Sequence, residues 1–116
     1  MSATINYNNK KFRALVNSDN GEVDAALVFN YQQNGNILTC TYNGEKIIQG
    51  HLLGIVANDG SINMRYHQIN IHQQIMTGIC TSTPEIMPDG KIKLHEDWQW
   101  TSGDLSAGNS VLIEID

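Results

Sequence analysis

The groups in this sequence best suited to chemistry sit on one short run, KIKLHEDWQWT, at positions 91–101. Strand side chains alternate with a period of two, so Ile92, Leu94, Glu96, Trp98 and Trp100 share one face of such a run. Lys91, Lys93, His95, Asp97, Gln99 and Thr101 take the other. The first face is apolar and aromatic except for one carboxylate. Burial beside two indoles penalises the charged form of Glu96, so its pKa should rise unless a charged partner or hydrogen-bond donors come near. A carboxyl group of that kind can act as a general acid or base close to neutral pH. It can also orient a small ligand against an aromatic wall. A third reading is purely structural: a core carboxylate accepting hydrogen bonds from Tyr66, Gln68 or a tryptophan N–H. No residue is assigned a catalytic role from these patterns.

A second set of reactive groups lies in INMRYHQIN, where Arg65 and His67 oppose Ile62, Met64, Tyr66 and Gln68. Regular alternation leaves Arg65 and His67 on the wet side, with His95 and Asp97. A one-residue bulge would instead turn them inward toward Glu96. His51 and His72 read as polar strand and turn residues. Cys40 and Cys80 fall in mid-strand, where thiols are more often reduced core groups than a disulfide or a metal site, and four closely spaced zinc ligands are lacking. There is no Gly-x-Ser-x-Gly elbow, no phosphate loop and no His-x-x-x-His pair. Neither a metal nor a cofactor is expected.

The elements that must position these groups are punctuated by Asn20-Gly21, Asn34-Gly35, Asn43-Gly44, Asp59-Gly60 and Asp89-Gly90. Asx-Gly pairs are the strongest short-range signal of a tight hairpin. Strand-like runs are read at 10–17, 25–33, 36–42, 46–57, 61–71, 74–83, 91–101 and 110–115, with a chemically weak turn near His72 and Gln73. Gly50 and Gly54, inside the fourth run, suggest bends or bulges. Residues 83–89, TPEIMPD, hold both prolines and read as a connection. No run has a helical period. Eight sequential strands on short turns predict an all-β, antiparallel up-and-down meander, closed into a lipocalin- or avidin-like barrel that hides its edges. An open two-sheet β-sandwich is the alternative. A barrel of this size is filled by side chains or holds one small ligand. Its inward face would collect Phe29, Tyr31, Tyr42, Met64, Tyr66, Gln68, Cys80, Ser82, Glu96, Trp98 and Trp100. The candidate ligand-binding set is therefore Glu96, Trp98, Trp100, Tyr66, Gln68, Tyr42 and Met64, together with Arg65 and His67 if their strand is shifted.

Composition bounds the partners. A chain of 116 residues is one domain with a workable core. Seven Lys and Arg against twelve Asp and Glu give a net charge of −5, which argues against nucleic acid. The start of the chain does not read as a leader, and the apolar runs are too short to span a bilayer as helices, so a cytoplasmic location without membrane contact is expected. A small-molecule ligand and a homodimer partner are the associations left open.

The runs VFNYQQNGNILTCTYNG, MRYHQIN, MTGICTSTPE and KLHEDWQWTSGD resemble a family of small bacterial proteins labelled N-acetylglutamate synthase, over residues 11–110. The resemblance implies acetyl transfer but brings no catalytic residues with it. An acetyltransferase that uses acetyl-CoA normally belongs to a mixed α/β fold and binds the pyrophosphate with a Gln/Arg-x-x-Gly-x-Gly/Ala turn at a helix N-terminus. Here every glycine is read at a hairpin turn or inside a strand. In shape, the expected barrel is similar to calycins and avidin-like proteins, whose members mostly bind small molecules inside. Binding of a small molecule in the lumen is thus the expected function. The alternatives are an enzyme using Glu96 as acid or base and a packed structural or dimerisation module.

Overall fold

Period-two alternation between tight turns lets the chain hide its apolar faces in a closed barrel or a two-sheet sandwich, and the computed structural model takes the barrel. The structure describes residues 5–17, 22 and 26–116, without the side chains of 16 and 17. These form β1 (Lys11–Asn17), β2 (Val28–Asn30), β3 (Gln32–Asn34), β4 (Ile37–Tyr42), β5 (Ile47–Val56), β6 (Ile62–Asn70), β7 (Ile75–Ile86), β8 (Ile92–Trp100) and β9 (Ala107–Ile115). All pair antiparallel in one sheet of order β2-β1-β9-β8-β7-β6-β5-β4-β3.

The two ends of that order, β2 and β3, are separated along the chain by Tyr31 alone. The run read as one strand at 25–33 leans first on β1 and then, past Tyr31, on β4. This switch closes the sheet into a nearly complete barrel and raises the count from eight strands to nine. Tyr31 bridges the break, its N–H donating to the Lys10 carbonyl at 2.9 Å and its carbonyl accepting from the Asn9 N–H at 2.8 Å. The meander expected from the turns is present, and the sandwich is not.

Three hairpins share one construction. In the 57–61 and 87–91 turns, Gly60 and Gly90 take φ of +87° and +86°, and Asp59 and Asp89 accept the backbone N–H two residues on at 2.9 Å. The weak turn at 70–74 is built alike: Gln73 takes the positive φ, 61°, and the Asn70 side chain accepts from both His72 and Gln74 at 3.0 Å. Asn20-Gly21 and the first residue of the second strand-like run lie outside the described residues.

Two expectations are corrected. The prolines do not force a connection over 83–89, because β7 runs on to Ile86 with Pro84 opposite Leu94 of β8. Pairing with β6 stops at Ser82, so the missing Pro84 N–H faces no partner strand on that side. Gly50 and Gly54 are not bulges either: the register shift of β5 falls between Ile47 and Gln49, and that of β1 between Ala14 and Val16.

Fully buried side chains pack one half of the lumen. Tyr7, Phe12, Leu38, Ile62 and Leu94 have no exposed surface. Tyr7 comes from the segment before β1 and plugs that end, donating its hydroxyl to the Gly60 carbonyl at 2.6 Å. Its ring lies 6.2 Å from Phe12 and from Tyr31, and Phe12 lies 5.0 Å from Tyr31.

Candidate functional site

The described residues do not fill the other half of the lumen. It holds a cavity with about 70 Å³ of room for the centres of water-sized spheres. One water needs about 10–15 Å³ on this measure, so there is space for a handful of waters or a small ring. Glu22, Phe29, Tyr31, Tyr42, Tyr66, Gln68, Glu96, Trp98 and Trp100 line it with Leu52, Met64, Ser110 and Leu112. Regular alternation thus brings together Glu96, Trp98, Trp100, Tyr66, Gln68, Tyr42 and Met64.

Two rows of three cross-strand residues build the walls, each with a glycine in the middle. Tyr42, Gly50 and Gln68 stand abreast on β4, β5 and β6. Gly50 faces inward, where a Cβ would collide with the Tyr42 ring, so the ring can lie across it. The Tyr42 hydroxyl thereby reaches the Gln68 Oε1 at 2.8 Å. Tyr66, Gly78 and Trp100 repeat the device on β6, β7 and β8. A Cβ on Gly78 would strike the Tyr66 ring, which crosses to meet Trp100 at 5.6 Å, edge to face. Trp98 continues the wall 5.9 Å from Trp100, and its indole N–H donates to the Ser110 hydroxyl at 2.8 Å.

Glu96 is held by the residue opposite it on β7. The fully buried Ser82 hydroxyl donates to Glu96 Oε2 at 2.6 Å. Among the described residues, nothing donates to the other carboxylate oxygen. Burial pushes the pKa of Glu96 up to about 7, with the Ser82 hydrogen bond pulling the other way. The phenols of Tyr31, Tyr42 and Tyr66 and the Cys80 thiol are held above their ordinary values, chiefly by burial, and the Cys40 thiol is pushed up to about 12. These groups are neutral at physiological pH and are poor nucleophiles. Both cysteines are free, and among the described residues no three His, Cys, Asp or Glu side chains are placed to hold a metal ion.

Arg65 and His67 do not join the site. Pairing of β6 with β7 runs unbroken from Ile62 to Ile69, so the slip that would turn these two residues inward does not occur. Both are exposed on the outer face. Arg65 donates to Asn63 Oδ1 at 2.8 Å, and the His67 ring lies 5.4 Å from His51. His95 pairs outside with Glu85 at 2.8 Å.

Glu22 was not legible as a site residue. Its carboxylate accepts from Gln68 Nε2 at 2.7 Å and from Asn70 Nδ2 at 2.9 Å, placing a second acid on the cavity wall. No periodicity marks a loop residue whose partners lie 46 and 48 positions away. The seating glycines carried a signal that was readable: both occupy inward positions of their strands.

Among the described residues, no helix is long and apolar enough to cross a membrane. The chain matches the family model described as avidin-like protein over residues 5–115. The match does not carry the N-acetylglutamate synthase label, and no helix N-terminus exists among the described residues to bind a pyrophosphate. No curated protein and no solved structure matches the chain.

Proposed function

The chain belongs to the avidin-like protein family, and from that premise we propose that it binds a small, partly apolar molecule in the unfilled half of its lumen. One observation carries the reading: a half-buried carboxylate, anchored through one oxygen and with no donor among the described residues for the other, stands in a cavity beside both tryptophans of the chain. A packed core network would leave neither oxygen open to a cavity; here no buried side-chain polar atom of the described residues is unsatisfied, so the second oxygen is free to meet a guest. A ligand that donates to Glu96 and stacks on the indoles satisfies the carboxylate and buries its own apolar surface.

Catalysis by Glu96 is the second reading, favoured by a pKa near the operating range of a general acid or base. Among the described residues, the one other acid on the wall, Glu22, is already engaged by the amides of Gln68 and Asn70. The thiols in reach are neutral, and the histidines and arginines lie outside the lumen. Binding without turnover is the simpler use of this geometry.

Native mass spectrometry on protein purified from its own source tests the proposal. A small stoichiometric adduct that is lost on denaturation is expected. If the mass stays bare and no small-molecule fragment alters the fluorescence of Trp98 and Trp100, the lumen is not a binding site.

A further inference from the structure

We propose that the guest of the lumen is a small organic cation, an alkylated ammonium or amidinium group, held between the Glu96 carboxylate and the aromatic wall of Tyr42, Tyr66, Trp98 and Trp100. This inference rests on the lumen being a ligand site and adds the charge of the ligand.

Every basic side chain of the protein can be placed. The chain has seven Lys and Arg and four His, and all eleven lie among the described residues. None is buried and none lines the cavity. The residues outside the description contain no basic side chain, so they cannot supply one. Among the described residues, the ionisable wall therefore consists of two acids, Glu22 and Glu96, with weakly acidic phenols and the Cys80 thiol beside Glu96. An anionic guest would meet Glu96 in a low-dielectric space without a compensating cation. A neutral guest would leave the carboxylate charge unanswered. A cation answers it, and the aromatic wall supplies electron-rich ring faces to the same charge, an attraction that grows when water is excluded. The two glycine seats serve this arrangement by letting Tyr42 and Tyr66 lie across the strands.

Proton linkage gives the inference a second handle. Glu96 is surrounded by Ser82 and Cys80 of β7, Tyr42 of β4, Tyr66 of β6, Ser110 of β9 and Tyr31 at the strand break; Glu22 stands on the same wall. The phenols and the thiol stay neutral, and Glu22 already receives two amide donors. Cation binding must then release the Glu96 proton where it is held, so affinity should rise with pH from 6 to 8.

The test is an isosteric series, tert-butylammonium, tert-butanol and pivalate, titrated at pH 6 and pH 8. The readout is tryptophan fluorescence, since both tryptophans of the chain line the cavity. At pH 8 the ammonium should bind about tenfold tighter than the alcohol or better, and pivalate weakest. That preference should shrink at pH 6 and disappear in Glu96→Gln, which still takes the alcohol. If the alcohol binds as tightly as the ammonium, the cation assignment is overturned while the lumen site stands. If Glu96→Gln keeps the preference, or the wild type shows no pH dependence, Glu96 is not the counter-charge. If none of the three binds, this inference and the ligand-site reading both fail.

Discussion

The two halves of the barrel interior obey one rule and reach opposite results. Both are lined by alternate residues of the same strands. At the plugged end those residues are Phe12, Leu38, Ile62 and Leu94, and Tyr7 seals them with a hydrogen bond to the Gly60 carbonyl. At the other end they are Tyr42, Tyr66, Gln68, Glu96, Trp98 and Trp100, tied by specific hydrogen bonds and edge-to-face contacts around a cavity that no described residue fills. Close packing of branched side chains stabilises without selecting a guest. Rings propped on glycines and an acid held through one oxygen by Ser82 give up packing for shape and charge. Stability should therefore concentrate at the plugged end and recognition at the other.

The largest effect should come from the plug. Tyr7→Ala deletes a fully buried ring and its hydrogen bond, and should cost about 3–5 kcal/mol in urea unfolding, the range for losing a core aromatic side chain. Ligand affinity of the folded fraction should hardly change. A loss below about 1 kcal/mol, no more than one ordinary hydrogen bond, would erase the contrast between the halves.

Glu96→Gln should act with the opposite sign. The folded protein holds the Glu96 proton more tightly than the unfolded chain does, so wild-type stability falls as pH rises from about 4.5 to about 7 and the penalty is complete above that. At about 1.4 kcal/mol per pKa unit, the neutral variant should gain up to about 3 kcal/mol at pH 8 and almost nothing near pH 4.5. Thermal melts across that range check the sign. A difference that does not vary with pH would mean that Glu96 is not buried as a carboxylate.

A smaller loss is expected from Gly78→Ala. Its methyl group would displace the Tyr66 ring from its seat, an overpacking worth about 1–3 kcal/mol. Adding Tyr66→Ala should return part of that loss, so the two changes are non-additive. Strict additivity would separate the glycine from the ring. Smallest of all, His67→Ala and Arg65→Ala should leave stability, cavity fluorescence and ligand binding unmoved, since both side chains stand on the outer face. A change in binding with either would place the site elsewhere.

Much of the site was readable because it is written in period two. Glu96, Trp98 and Trp100 had to share a face, and Tyr42, Tyr66, Gln68 and Ser82 had to join them if the strands kept step. What escaped depends on where strands end and on what crosses from afar. Pro84 reads as a strand breaker until β6 is seen to stop short of it. The division at Tyr31 follows from the need of one run to serve two neighbours. Tyr7 reaches Gly60 across 53 positions, and Glu22 reaches Asn70 across 48.

By itself, the sequence determined the all-β class, the hairpin meander and the inward face of each strand, because alternation and turn chemistry are local properties of neighbouring residues. Only the tertiary structure decided that the sheet closes through a broken strand, that one end is plugged while the other keeps a cavity, and that Arg65 and His67 stay outside. Those outcomes depend on register and on which side chains meet across the lumen, and no local pattern contains that information.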